Sequence, residues 1–350
     1  MAELRVAVVG YGLAGSVFHA PLIAAEPRMR LDVVVTSSAE RAEQARREHP
    51  GVRVLASAGQ LFADLSGIDL VVIATPNRTH ASIALAAIEA GISVVVDKPF
   101  TVTSAEAEQV IAAADRRGVA LSVFQNRRWD GDFRTVQTLM ANGRLGKVRR
   151  FESRIERWRP VGKGGWRELG SAADGAGYLY DLGSHLVDQV LTLFGAVTDV
   201  YCELDRRRAG VQADDDAFLA LTHASGVRSH LWMSAVSAQI GPRFRVLGSE
   251  ASFVLHGFDP QEAALRAGRR PNSEHSWGTV EPDCWGQLGT DGDTCRIPTE
   301  PGDYPAFYRA MADALCDGTS VPVDPHDALE ALRILEQGFS AADRTVTRRR

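Results

Sequence analysis

Leu4-Arg5-Val6-Ala7-Val8-Val9-Gly10-Tyr11-Gly12-Leu13-Ala14-Gly15 runs from an apolar strand into three spaced glycines, and a helix-like stretch follows from Ala14 to Ala25. Strand, glycine turn and helix in this order are the context that a dinucleotide-binding turn requires; an ordinary glycine-rich turn would share only the spacing. Gly10 permits the tight turn, Gly12 lets the backbone approach a pyrophosphate, and Gly15 lets the helix pack on the strand. Leu13 and Ala14 sit in the same turn, where unpaired N–H groups and the positive end of the helix dipole face the phosphates.

Outward from this stretch, short β-branched runs alternate with amphipathic helical runs up to about residue 123, the pattern of a doubly wound parallel sheet. Strands are predicted at Leu4 to Val9, Leu31 to Thr36, Val52 to Leu55, Leu70 to Ala74, Ser93 to Val96 and Val119 to Phe124. Helices are predicted at Ala39 to Glu48, Thr79 to Ala90 and Ser104 to Arg117, the last announced by the capping-box pair Thr103 and Glu106. From Lys147 the strands lengthen and follow one another directly: Lys147 to Trp158, Asp199 to Arg206, Ala217 to Thr222, Arg228 to Val236 and Arg243 to Leu247. Turns such as Ala224-Ser225-Gly226 join them, so an open, mostly antiparallel sheet is expected, interrupted by a helix from Gly177 to Phe194. Further helices are expected at Pro305 to Asp317 and Pro325 to Ser340, and an irregular excursion from Phe258 to Pro301. The fold class is therefore α/β. A Rossmann-type domain over 1–123 precedes a second α/β domain over 124–350, whose last helix could pack back on the first.

A chain of 350 residues exceeds the usual single core, which agrees with two domains. With 39 basic and 44 acidic side chains the net charge is −5, so no broad attraction for nucleic acid or an anionic membrane is expected. The basic ending Arg344 to Arg350 reads as a frayed helix terminus. Cys202, Cys284, Cys295 and Cys316 lack disulfide-frame or zinc spacing, so free thiols and no metal are expected. With no signal peptide and no membrane-spanning run, the cytoplasm is the expected location.

The second strand ends Val35-Thr36-Ser37-Ser38, without the carboxylate that holds the adenosine ribose in NAD-preferring folds. Ser37 and Ser38 can donate hydrogen bonds and Arg41 lies a helical turn on, so NADP is the expected cofactor, with NAD possible; a merely solvated helix face is the alternative for the arginines. Thr75 and Asn77, in the polar turn after the fourth strand, are candidate cofactor contacts. His80, just beyond, could equally cap its own helix.

Asp97-Lys98-Pro99 follows the fifth strand at the carboxyl edge of the sheet. A lysine there can hold a substrate hydroxyl and favour alkoxide-like charge, while Pro99 fixes the turn. In the second domain Asp181 and His185 are four apart on the expected helix, hence on one face. Histidine titrates near neutrality, which makes His185 the candidate acid/base; a core histidine satisfied by Asp188 is the alternative.

Taken together, Gly10-Tyr11-Gly12-Leu13-Ala14-Gly15-Ser16-Val17-Phe18-His19-Ala20-Pro21, Lys98-Pro99, Asn126-Arg127-Arg128-Trp129-Asp130, Trp166-Arg167-Glu168 and Tyr180-Asp181-Leu182-Gly183-Ser184-His185 resemble the glucose-fructose oxidoreductase/inositol dehydrogenase/rhizopine catabolism family over nearly the full length. The resemblance is strongest to its NADP-dependent inositol dehydrogenases. It implies Lys98, Asp181 and His185 as the catalytic trio, Trp166 and Arg167 near nicotinamide and substrate, a polyol or sugar substrate and a homo-oligomer. An aldose dehydrogenase and a nucleotide-sensing regulatory protein on the same fold are the alternatives. Asp97 stands where the family usually has glutamate, one methylene shorter.

Three other features invite a functional reading. Gly162-Lys163-Gly164-Gly165 lacks P-loop spacing and is expected to be a mobile substrate-side loop. Asp214-Asp215-Asp216 would alternate faces on a strand and so could not converge on one cation. Arg127, Arg128 and Trp129 suit a sugar pocket or internal packing better than nucleic acid.

Overall fold

The computed structural model describes residues 3–271 and 276–348, with side chains described as far as residue 342; the side chains of the basic ending, and residues 272–275 of the expected excursion, lie outside what is described. The chain forms two units. The first comprises Met1–Asn126, Gln261–Trp277 and Asp303–Leu329, and the second Arg127–Pro260, Gly278–Gly302 and Glu330–Arg350. Both are discontinuous in sequence, whereas the sequence pattern suggested a single boundary after residue 123.

In the first unit β1 (Leu4–Val9), β2 (Met29–Val35), β3 (Arg53–Leu55), β4 (Leu70–Ile73), β5 (Ser93–Asp97) and β6 (Leu121–Phe124) form an all-parallel sheet in the order β3-β2-β1-β4-β5-β6. The order reverses between β1 and β4, and the crevice beyond their carboxyl ends is where ligands of open α/β sheets bind. Every residue of β4 and β6 is buried, because crossover helices cover both faces of a parallel sheet. These helices include Ala39–Glu48, His80–Glu89 and Ser104–Arg117, and the last carries the expected capping box, with the Glu106 N–H donating to Thr103 Oγ1 and the Thr103 N–H to the Glu106 carboxylate. A short helix, Ala58–Ala63, was not anticipated. The later segments complete the core: Phe307 meets Phe124 edge-on at 4.9 Å, and Arg28 pairs with Asp313 at 2.6 Å.

The second unit contains β7 (Arg150–Glu156), β8 (Val197–Asp205), β9 (Asp216–His223), β10 (Arg228–Ser234), β11 (Phe244–Leu247), β12 (Ser252–Leu255), β13 (Gly286–Thr290) and β14 (Asp293–Ile297). Their order is β14-β13-β12-β11-β7-β10-β9-β8, parallel only between β7 and β10. Burial alternates strictly along β9, so one face of the sheet meets the core, where Phe151 packs against Phe194 and Phe244 at ring distances of 5.4 Å. The expected excursion over 258–301 is corrected by this topology. It contains a helix, Gln261–Arg266, and the β13–β14 hairpin, whose two-residue loop is Asp291-Gly292. Among the described residues no helix is long and apolar enough to cross a membrane.

Candidate functional site

Each unit brings part of the predicted site together, beginning with the glycine turn of the first. Gly10 has φ +100°, and a Cβ there would strike the Ala74 carbonyl at the end of β4. A Cβ on Gly15 would strike the carbonyl oxygen of Gly10, which explains why strand and helix approach so closely. At Gly12 the neighbourhood is open, and the nearest group to a built Cβ is Arg41 Nη1 at 3.8 Å. The first and third glycines thus serve the fold, while the middle one leaves a space bordered by a guanidinium, which suits a phosphate. Leu13 is 47% exposed beside it, and Ala14 begins a π-helical turn, Ala14–His19, that becomes the α-helix Ala20–Ala25. The single regular helix expected over this stretch is replaced by these two pieces.

Ser38 caps the helix Ala39–Glu48, its Oγ accepting the Arg41 N–H at 3.3 Å, while its own O–H can still donate. Ser37 is exposed beside it. The carboxylate on β2 itself, Asp32, is engaged with Arg5 at 2.8 Å, Arg30 at 3.2 Å and Arg53 at 3.5 Å.

At the end of β4 the Thr75 hydroxyl accepts from Thr79 at 2.7 Å, and Asn77 is buried. His80 is buried too, with Nε2 2.9 Å from the Thr75 carbonyl and Nδ1 3.0 Å from the Pro99 carbonyl. Burial lowers its pKa despite nearby Asp97. The ring therefore bridges the end of β4 to the turn after β5, and does not stand as an exposed acid/base. In that turn the Lys98–Pro99 peptide bond is cis, Lys98 is half-buried, and the Lys98 N–H donates to Asp97 Oδ1 at 2.9 Å. Burial opposes the Asp97 charge, but His19, Lys98 and His80 outweigh it and hold the carboxyl below its ordinary range.

One part of this network escaped the sequence reading. His19 Nε2 lies 3.8 Å from Asp97 Oδ1, and its Nδ1 lies 2.6 Å from the hydroxyl of Tyr308, whose ionisation burial pushes well upward. His19 stood inside the quoted glycine stretch, yet nothing local pointed to Tyr308.

In the second unit Asp181 lies in a π-helical turn, Leu179–Gly183, and buried His185 in the first turn of the α-helix Ser184–Phe194. The expected single helix from Gly177 is thus two pieces. Asp181 pairs with Arg167 Nε at 3.3 Å, and the Arg167 guanidinium lies 4.8 Å from the centre of the Trp166 ring. Three of the predicted residues therefore converge. Asp188 receives a two-pronged pair from Arg128 at 2.9 and 2.6 Å, and Arg127 pairs with Asp130 at 3.0 Å, so these charges are engaged within the fold. The Gly162–Gly165 loop is pinned by Glu168, whose Oε2 accepts the Lys163 and Gly164 N–H groups at 2.6 and 2.8 Å. Among the described residues no three His, Cys, Asp or Glu side chains cluster as metal ligands.

Residues 4–125 match the family model described as the oxidoreductase family, NAD-binding Rossmann fold, and residues 133–254 match the GFO/IDH/MocA C-terminal domain. The chain belongs to the GFO/IDH/MocA oxidoreductase family. Among GFO/IDH/MocA relatives, it is 36% identical to scyllo-inositol 2-dehydrogenase (NADP(+)) IolW of Bacillus subtilis, over 97% of this chain and 94% of that one. It is 41% identical to the uncharacterized oxidoreductase YdgJ of Escherichia coli, over 99% and 98%. The solved structure of the putative oxidoreductase yvaA from Bacillus subtilis superposes with a TM-score of 0.91 at 35% identity, covering 98% of this chain and 97% of that one.

Proposed function

We propose that this protein is an NADP(H)-dependent oxidoreductase that interconverts a hydroxyl of a cyclic polyol or sugar with the ketone, scyllo-inositol being the first substrate to test. The observation that carries this reading is the segment that holds Asp181, paired to Arg167, with buried His185 four residues on. The name of the Bacillus subtilis relative supports the substrate, and so does the match over nearly the whole of both chains.

The residues present fit the cofactor. The space at Gly12 beside Arg41 suits phosphate, and the end of β2 offers Ser37 and Ser38 in place of a carboxylate that would repel a 2′-phosphate. Thr75, Asn77 and Asp97 would complete its contacts from the ends of β4 and β5. When bound, the nicotinamide accepts or returns the hydride. The remaining work falls to side chains. His185 takes the hydroxyl proton during oxidation and returns it during reduction. Lys98 places a cation against the substrate oxygen and favours its alkoxide-like charge. Asp181 orients the substrate, with Arg167 and Trp166 beside it.

The test is absorbance at 340 nm with NADP or NAD against scyllo-inositol, myo-inositol, glucose and xylose. NADP reduction with scyllo-inositol is expected, and His185→Ala should lower kcat by about 10²- to 10⁴-fold. Turnover confined to an aldose would move the substrate, and an unchanged His185→Ala enzyme would refute the acid/base role.

A further inference from the structure

We propose that Asp214 is a positioning residue that seats the segment bearing Asp181 and His185, and that residues 212–215 tie this segment to the turn bearing Trp166 and Arg167. The proposal rests on the reading of Asp181 and His185 given above. The first N–H groups of a helical segment have no partner within it. Tyr178, which precedes the Leu179–Gly183 turn, offers no side-chain cap. The cap comes from 35 residues further along the chain: Asp214 Oδ2 accepts the Leu179 N–H at 2.7 Å, and the Asp214 carbonyl accepts the Tyr178 N–H at 3.0 Å. Gly177, at φ +98°, lies so close that a Cβ on it would strike Asp214 Oδ1. Glycine and carboxylate therefore specify one another.

The neighbours of Asp214 grip the other segment. The Gln212 and Ala213 N–H groups donate to the Glu168 carbonyl at 2.8 and 3.1 Å, and the Gly177 N–H donates to the Arg167 carbonyl at 3.0 Å. Asp215, itself buried, accepts from Arg208 Nε at 2.8 Å, and Arg208 Nη1 donates to the Glu168 carboxylate at 2.9 Å. The three carboxylates of the triplet thus serve different partners. Asp214 holds one segment, Asp215 holds the other through Arg208, and Asp216 pairs at the surface with Arg207. Because the Asp181–Arg167 pair spans the two segments, its geometry depends on both grips. A misplacement of about 1 Å in such an arrangement costs on the order of 10²-fold in rate.

The experiment uses the 350-residue chain with NADP and scyllo-inositol. Asp214→Ala should lower kcat ten- to a hundredfold while NADPH Kd stays within twofold, and Asp214→Asn, which keeps an acceptor oxygen, should recover kcat to within about threefold. Gly177→Ala should reproduce the loss. Amide hydrogen exchange at 178–181 should rise at least tenfold in Asp214→Ala and return in Asp214→Asn, a readout independent of turnover. Folded Asp214→Ala with unchanged kcat and exchange would overturn the proposal; if that variant does not fold, folded Gly177→Ala with both unchanged would do so. His185→Ala run in parallel separates the two readings. Loss in His185→Ala with none in Asp214→Ala refutes the positioning role alone, whereas full activity in both refutes the catalytic helix as well.

Discussion

Replacing Arg41 with alanine tests the cofactor preference where the structure makes the magnitude calculable. The guanidinium borders the open space at Gly12, and the residue lies in the first turn of a helix that Ser38 caps through the Arg41 backbone N–H. Alanine keeps that N–H and is at least as good a helix former, so stability should change by less than about 0.5 kcal/mol. On the proposed NADP reading, the variant loses one charge-assisted hydrogen bond to the 2′-phosphate, worth roughly 1.5–3 kcal/mol. That corresponds to about a tenfold to 150-fold rise in NADPH Kd at about 1.4 kcal/mol per decade. NADH lacks the 2′-phosphate and shares only the pyrophosphate, so its Kd should rise clearly less than that of NADPH. Fluorescence titration of both cofactors measures this, and repeating it at higher salt adds a check: wild-type affinity for NADPH should fall more steeply with ionic strength than that of Arg41→Ala. Equal weakening of NADPH and NADH, or no change in either, would refute the assignment of Arg41.

Two further predictions concern the scaffold. Gly15→Ala should destabilise the protein by about 3 kcal/mol or more in urea unfolding, because its Cβ meets a carbonyl oxygen, while Gly12→Ala should cost less than about 1 kcal/mol; equal losses would contradict the assigned roles. Burial pushes the Asp214 carboxyl up to about 6 from an ordinary 3.8, so between these values the folded chain binds more protons than the unfolded one and stability falls as pH rises. Asp214→Asn should therefore gain on the wild type by about 3 kcal/mol between pH 4 and 7, and a difference independent of pH would refute this.

The parallel sheet was legible because β-branched runs such as Val33-Val34-Val35 and Val94-Val95-Val96 are buried on both faces, and because Thr103 and Glu106 announce their helix. The β13–β14 hairpin was not, since β14 is an almost wholly exposed strand with no apolar alternation; Asp291-Gly292 was the one signal that could have found it. The π-helical turns at Ala14–His19 and Leu179–Gly183 have the same residue pattern as regular helix, so periodicity does not distinguish them. In the candidate site, Lys98, Asp181 and His185 could be picked out by residue type beside a strand end or on a helix. Arg41 was proposed from what the end of β2 lacks. The His19–Tyr308 and Leu179–Asp214 contacts join residues 289 and 35 positions apart, and no local periodicity encodes such pairs.

The first unit is not finished where its last parallel strand ends. Phe124 and His19 are covered by Phe307 and Tyr308, which the ribosome delivers only after the whole of β7 to β14 has been made. Since chains emerge amino end first, the dinucleotide-binding half must wait, with part of its apolar surface bare, while the other half is synthesised. Excising residues 1–126 as a stand-alone cofactor module would cut away part of its own core, and a grafted version must carry the Asp303–Leu329 segment with it.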